Sequence, residues 1–143
     1  MSETTTDLGF EIRMEGPMDG AVETVTAALQ QKGFGILTTI DLKGAFAEKL
    51  GVEFRPYLIL GACNPRLAHR AVSARPEVGM LLPCNVTVES GPGDAVTVRI
   101  TDPRAMFAAG DFGGDPVMES VVDEARELLM AVAEDLRGEA PEA

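Results

Sequence analysis

Three times along this chain an asparagine or aspartate is followed at once by proline: Asn64-Pro65, Asp102-Pro103 and Asp115-Pro116. The side-chain oxygen can accept from an orphan N–H at a helix start, and proline suits the first helical position because it has no N–H to lose. Each pair therefore marks the start of a helix. The first comes one residue after a continuous apolar run, Tyr57 to Ala62, and the second directly follows an extended run, Asp94 to Thr101. A chain that passes repeatedly from a strand-like run into a capped helix calls for a sheet packed by helices.

The remaining elements follow from periodicity. Leu8, Phe10, Ile12 and Met14 alternate with Gly9, Glu11 and Arg13, the period-two pattern of a half-buried strand. Pro17 then opens a helix carrying Met18, Val22, Val25 and Leu29 on one stripe, closed by Lys32 and Gly33. Phe34, Ile36, Thr38 and Ile40 form a second strand, and Asp41 caps a short helix bearing Leu42, Phe46 and Leu50 before Gly51. Arg55-Pro56 breaks the chain before the third strand, and Pro76 ends the helix after Cys63 near Ala74. Met80 to Glu89 and Asp94 to Thr101 flank the turn-rich Ser90-Gly91-Pro92-Gly93 and predict a hairpin, with Pro83 placing its strand at an edge or beside a bulge. After a short helix ending near Gly110, Met118, Val122, Ala125, Leu129, Val132 and Leu136 form the apolar seam of a long last helix.

The order β-α-β-α-β-α-β-β-α-α gives the α/β (α+β) class: a two-layer sandwich with a mixed sheet of about five strands, a C-terminal antiparallel hairpin and a long final helix. Parallel pairings through the first three helices are expected. Residues 1–137 are read as a single domain and 138–143 as a disordered tail.

Charge and composition exclude several function classes. A net charge of −11 opposes a phosphate backbone, so nucleic acid is not an expected partner. No apolar run approaches the ~20 residues of a membrane helix, and the start lacks the basic and then apolar regions of a secretory signal, which predicts a cytoplasmic protein with reduced thiols and no membrane partner. The two cysteines fit no zinc spacing, so no metal site is assigned. From Asp111 onward ten acidic residues face two basic ones, whereas Arg66, Arg70 and Arg75 cluster after Cys63. An anion, if bound, is expected there.

Gly33-Phe34-Gly35-Ile36-Leu37 with Ile40-Asp41, Glu48-Lys49-Leu50-Gly51-Val52, and above all Tyr57-Leu58-Ile59-Leu60-Gly61-Ala62-Cys63-Asn64-Pro65 with Leu81-Leu82-Pro83-Cys84-Asn85-Val86 carry a near full-length resemblance. On those stretches the chain resembles the bacterial and archaeal family catalogued as domain of unknown function three hundred and two. The resemblance implies a compact α/β domain, often dimeric, with no established reaction and no catalytic residues to carry over. Pro17 stands where relatives tend to have a small hydroxyl residue, which affects only the local cap.

Both cysteines precede asparagine, and that echo marks the candidate site. Cys63 lies just outside a helix N-terminus, where the dipole and Arg66 or Arg70 favour thiolate; against this, free cysteine is among the most buried residue types. Cys84 shares strand parity with Val86 and Val88, which points it to the core. Asn64 is a helix cap, whereas Asn85 is an amide disfavoured on a strand and suggests a bond to a turn, a partner or a ligand. His69 reads as a solvated surface group, and no Gly-rich phosphate loop or facing carboxylate pair appears. The reading is therefore a non-enzymatic, homodimeric ligand-binding or accessory domain, with a cleft at the start of the helix after Cys63. Its lining would be Cys63, Asn64, Cys84 and Asn85, with Arg66 or Arg70 drawing a small anionic ligand; no cofactor is assigned. The alternative is a thiol redox protein, or a soft-metal or haem binder, using Cys63 and Cys84.

Overall fold

The computed structural model describes residues 3–5 and 7–139. Strands β1 (Glu3–Thr5) and β2 (Gly9–Glu15) lead into helix α1 (Met18–Gln31). Strand β3 (Gly35–Asp41), helix α2 (Leu42–Leu50) and strand β4 (Tyr57–Cys63) follow, then helix α3 (Pro65–Ala74) and a 3₁₀ turn at Pro76–Leu81. Strands β5 (Cys84–Ser90) and β6 (Ala95–Thr101) form the hairpin, and α4 (Pro103–Phe107) and α5 (Pro116–Glu139) complete the chain. The tail expected from Gly138 begins inside α5, and 140–143 lie outside the described residues.

The sheet runs β1-β2-β6-β5-β4-β3 and every pairing is antiparallel, which corrects the expectation of a mixed sheet with parallel pairs. The helix after a strand was the misleading cue. α1 does join two strands of the same direction, but it carries the chain from β2 to the far edge of the sheet, so β6, β5 and β4 lie between β2 and β3. α2 and α3 each return the chain to the neighbouring strand in the opposite sense. The two-layer α/β class, the hairpin and the long last helix stand as read.

Alternation decides which face is covered. Phe10, Ile12, Met14, Leu60, Ala62, Cys84, Val86, Val88, Val96, Val98 and Ile100 face α1 and α5, whose Val25, Leu29, Leu129, Val132 and Leu136 close the core. A second cluster joins α3, α4 and the start of α5 through Leu67, Ala71, Val78, Phe107, Met118 and Ala125. The opposite sheet face is polar, and across it Arg99 donates to both Glu11 (2.7 Å) and Glu89, which also accepts from Arg55 (2.6 Å).

The predicted caps form. Asp41 Oδ1 accepts from Gly44, Asn64 Oδ1 from Leu67, Asp102 Oδ1 from Arg104 and Asp115 Oδ1 from Val117 and Met118. Pro17 makes no side-chain cap, as its missing hydroxyl requires. Two boundaries differ. Met80 to Leu82 belong to the 3₁₀ turn and its exit, because an apolar run without period two carries no strand signal of its own. β5 is an inner strand, and Pro83 stands one residue before it, where no ladder N–H is missing.

Candidate functional site

β4 and β5 are neighbours, with Ala62 opposite Cys84 and Gly61 opposite Asn85. That register brings the ends of both cysteine segments to the N-terminus of α3. Cys63 and Cys84 line one hollow with Phe34, Asn64, Leu67 and Phe107. The hollow measures about 30 Å³ and is apolar, room for little more than a water, whereas small-molecule sites run to about 300–1,000 Å³.

The surroundings set the chemistry of the thiols. Burial raises Cys63 above the ordinary thiol range. Cys84 is pushed up to about 11, chiefly by desolvation and then by the neighbouring Cys63. The thiolate that the helix N-terminus was expected to favour at Cys63 is therefore disfavoured, and the arginines explain why no charge compensates. Arg66 and Arg70 both pair with Glu124 of α5, Arg70 at 3.5 Å, and Arg70 also donates to Ser120 at 3.1 Å. Their guanidinium groups fasten α3 to α5 and do not line the hollow.

Asn64 is likewise committed to the fold. Besides capping α3 at 3.2 Å, its amide nitrogen reaches the carbonyl of Lys32 at 3.5 Å, tying the exit of α1 to the entry of α3. Gly33 turns there with φ +86°, and a Cβ at that position would come within 2.9 Å of the Asn64 amide. The glycine clears the space the asparagine fills.

Asn85 lies elsewhere. Consecutive strand residues point to opposite faces, so it projects to the polar side of the sheet while Cys84 faces the core. There it borders a basin of about 520 Å³ lined by Asp7, Leu8, Tyr57, Thr87, Arg99 and Thr101. Of the six sequence-predicted residues, the structure thus gathers Cys63, Asn64 and Cys84 and sets Asn85, Arg66 and Arg70 apart. Tyr57, Thr87, Arg99 and Thr101 were not singled out from the sequence; their common strand parity around Asn85 was the available signal.

Among the described residues no group of three or more His, Cys, Asp and Glu side chains gathers as a metal set, and no helix is long and apolar enough to cross a membrane. The fold is similar to the crystal structure of an uncharacterized conserved DUF302 protein from Bacillus stearothermophilus, with a TM-score of 0.77 and 25% identity over 89% of this chain and 96% of that one. No curated protein matches the chain. The family model for the domain of unknown function DUF302 matches residues 10–136, from the second residue of β2 to the last turn of α5 and through both cysteine segments, and the chain belongs to that family.

Proposed function

We propose that the chain acts as a homodimeric, non-enzymatic accessory or binding domain, and that β3 with α2 forms its self-association face. One observation carries this reading: neither β3 nor α2 buries a single residue. Leu37 (66% exposed), Ile40 (48%), Leu50 (68%) and Val52 (46%) all stand open along one edge. β3 is also the last strand of the sheet, so its outer backbone groups offer a template for another strand.

Charge favours a second copy of this chain as the occupant. Across a protein of net charge −11, Gly35 to Tyr57 carries Asp41, Glu48 and Glu53 against Lys43, Lys49 and Arg55, a net of zero. Two copies meeting there avoid the repulsion that the acidic α5 would impose. The segment is also the length of chain that one side of a standard interface uses, about 20–30 residues. α2 is a firm platform: Lys43 donates to the Phe54 carbonyl at 3.0 Å, and Phe46 meets Phe54 edge to face at 5.2 Å.

The thiol reading has the shared hollow in its favour. Against it stand the raised thiols and a hollow that no cationic side chain lines among the described residues. Sedimentation of the full chain decides the first reading: the wild type should run at twice the chain mass, and the Leu37→Lys, Ile40→Lys double variant as a folded monomer. A monomeric wild type, or a double variant that stays dimeric, overturns it.

A further inference from the structure

The basin on the polar face of the sheet has the makings of a second, independent site. Its floor is made by β5 and β6, where Asn85, Thr87, Arg99 and Thr101 all project outward because Val86, Val88, Val98 and Ile100 point inward. Its sides are Asp7 and Leu8 at the β2 edge and Tyr57 on β4, three strand spacings away, about 14 Å. The volume, about 520 Å³, is of small-molecule size.

Two polar groups there are free of protein partners among the described residues, the Thr87 hydroxyl in a buried position and the Asn85 amide in an exposed one. The Thr87 hydroxyl oxygen is buried and has no hydrogen-bond partner among the described residues, and a buried polar group calls for one. The Asn85 side-chain amide makes no hydrogen bond among the described residues, although its backbone carbonyl accepts from Thr101 at 2.6 Å. Donor and acceptor stand side by side on one amide, with a hydroxyl two residues along the strand and, diagonal to that hydroxyl across the β4–β5 ladder, the Tyr57 ring.

Charge narrows the class of ligand. Arg99, the cation of the floor, is already held by Glu11 and Glu89, and Arg55 by Glu89. With Asp7 the neighbourhood sums to one negative charge, which disfavours an anion. We propose that this basin binds a flat, uncharged heterocycle with adjacent hydrogen-bond donor and acceptor groups, the chemistry of a nucleobase. The Asn85 amide pairs with the ring edge, the Thr87 hydroxyl gains its missing partner, and the Tyr57 ring packs on the flat face. The site does not depend on dimer formation.

The test is titration of ¹⁵N-labelled full chain with adenosine, with adenosine monophosphate and glucose as comparators. Adenosine should give saturable shifts at Asn85, including its side-chain amide, and at Thr87 and Thr101. The monophosphate should bind about fivefold more weakly at low salt through repulsion by the net negative charge, and glucose should leave these signals unmoved. Asn85→Ala should weaken adenosine about tenfold, the scale of one lost amide pair. Thr87→Val should raise the melting temperature of the free protein, since it removes the orphaned hydroxyl, and weaken adenosine binding. No saturable shift up to the solubility of adenosine overturns the proposal. So do equal shifts with glucose, undiminished binding by Asn85→Ala, or a Thr87→Val protein that melts earlier than the wild type.

Discussion

Replacing Glu89 by glutamine removes the carboxylate that two arginines share on the polar face of the sheet. Glu89 is only 8% exposed, accepts from Arg55 at 2.6 Å and also accepts from Arg99. A charge-assisted hydrogen bond is worth about 1.5–3 kcal/mol, so the pair could hold up to about 6 kcal/mol. Three effects reduce that figure. Both arginines are about half exposed and water re-solvates them, Arg99 keeps Glu11 at 2.7 Å, and glutamine retains one acceptor oxygen. About 2 kcal/mol remains at pH 7, a fall in Tm of about 4–8 °C for a domain of this size. The pH dependence fixes the cause. Desolvation pushes the Glu89 carboxyl up, but the hydrogen bonds from Arg99 and then Arg55 outweigh it and hold the group below its ordinary value of 4.5. A carboxyl depressed in the folded state stabilises it above the unfolded pKa, and that contribution is lost as the pH falls through the folded value. Urea unfolding followed by circular dichroism should therefore show a gap of about 2 kcal/mol between wild type and Glu89→Gln at pH 7, closing below about pH 4. A gap under about 0.5 kcal/mol at pH 7, or one that persists at pH 3, would show that the carboxylate network does not act as argued.

Two further outcomes test the thiol hollow and its cap. Alkylation by iodoacetamide at pH 7 should be slower at both cysteines than at a free thiol of pKa about 8.5, with half-buried Cys63 reacting before Cys84 and both rates climbing above pH 9; reaction faster than a free thiol at pH 7 would refute the desolvation argument. Asn64→Ala should cost about 2 kcal/mol, of which ~1 is the cap and the rest the link to Lys32. A loss confined to about 1 kcal/mol in urea unfolding would show that the 3.5 Å contact with Lys32 carries nothing.

What the sequence made legible was local. The alternation of Phe10, Ile12 and Met14, the capping residues Asp41, Asn64, Asp102 and Asp115, and the seam from Met118 to Leu136 each reports on its own few neighbours, and each appears in the structure. Pairing sense was not legible, because an intervening helix looks the same whether the next strand lies beside the last or across the sheet. Strand β1, three polar residues long, carried no pattern at all. The stripe Leu42, Phe46 and Leu50 promised a buried helix face, but β4 and Phe54 cover it only in part, leaving Leu42 and Phe46 half-buried and Leu50 open, since amphipathicity announces a need for a partner without naming one. At the site, period two already implied that Cys84 and Asn85 face opposite ways. The repeated Cys-Asn dipeptide drew four residues into one cleft that strand geometry divides between two faces.

The placement of β6 has a consequence for biosynthesis. Strand β2 pairs with β1 and β6, so of the native pairings only two separate ladders, β1 with β2 and β3 with β4 and β5, are open to a nascent chain that has emerged as far as Ser90. The last inner strand to leave the ribosome, Ala95–Thr101, is the one that welds these halves together. A premature stop in the glycine turn before it would leave the two halves without the strand that joins them into the one apolar face covered by α5.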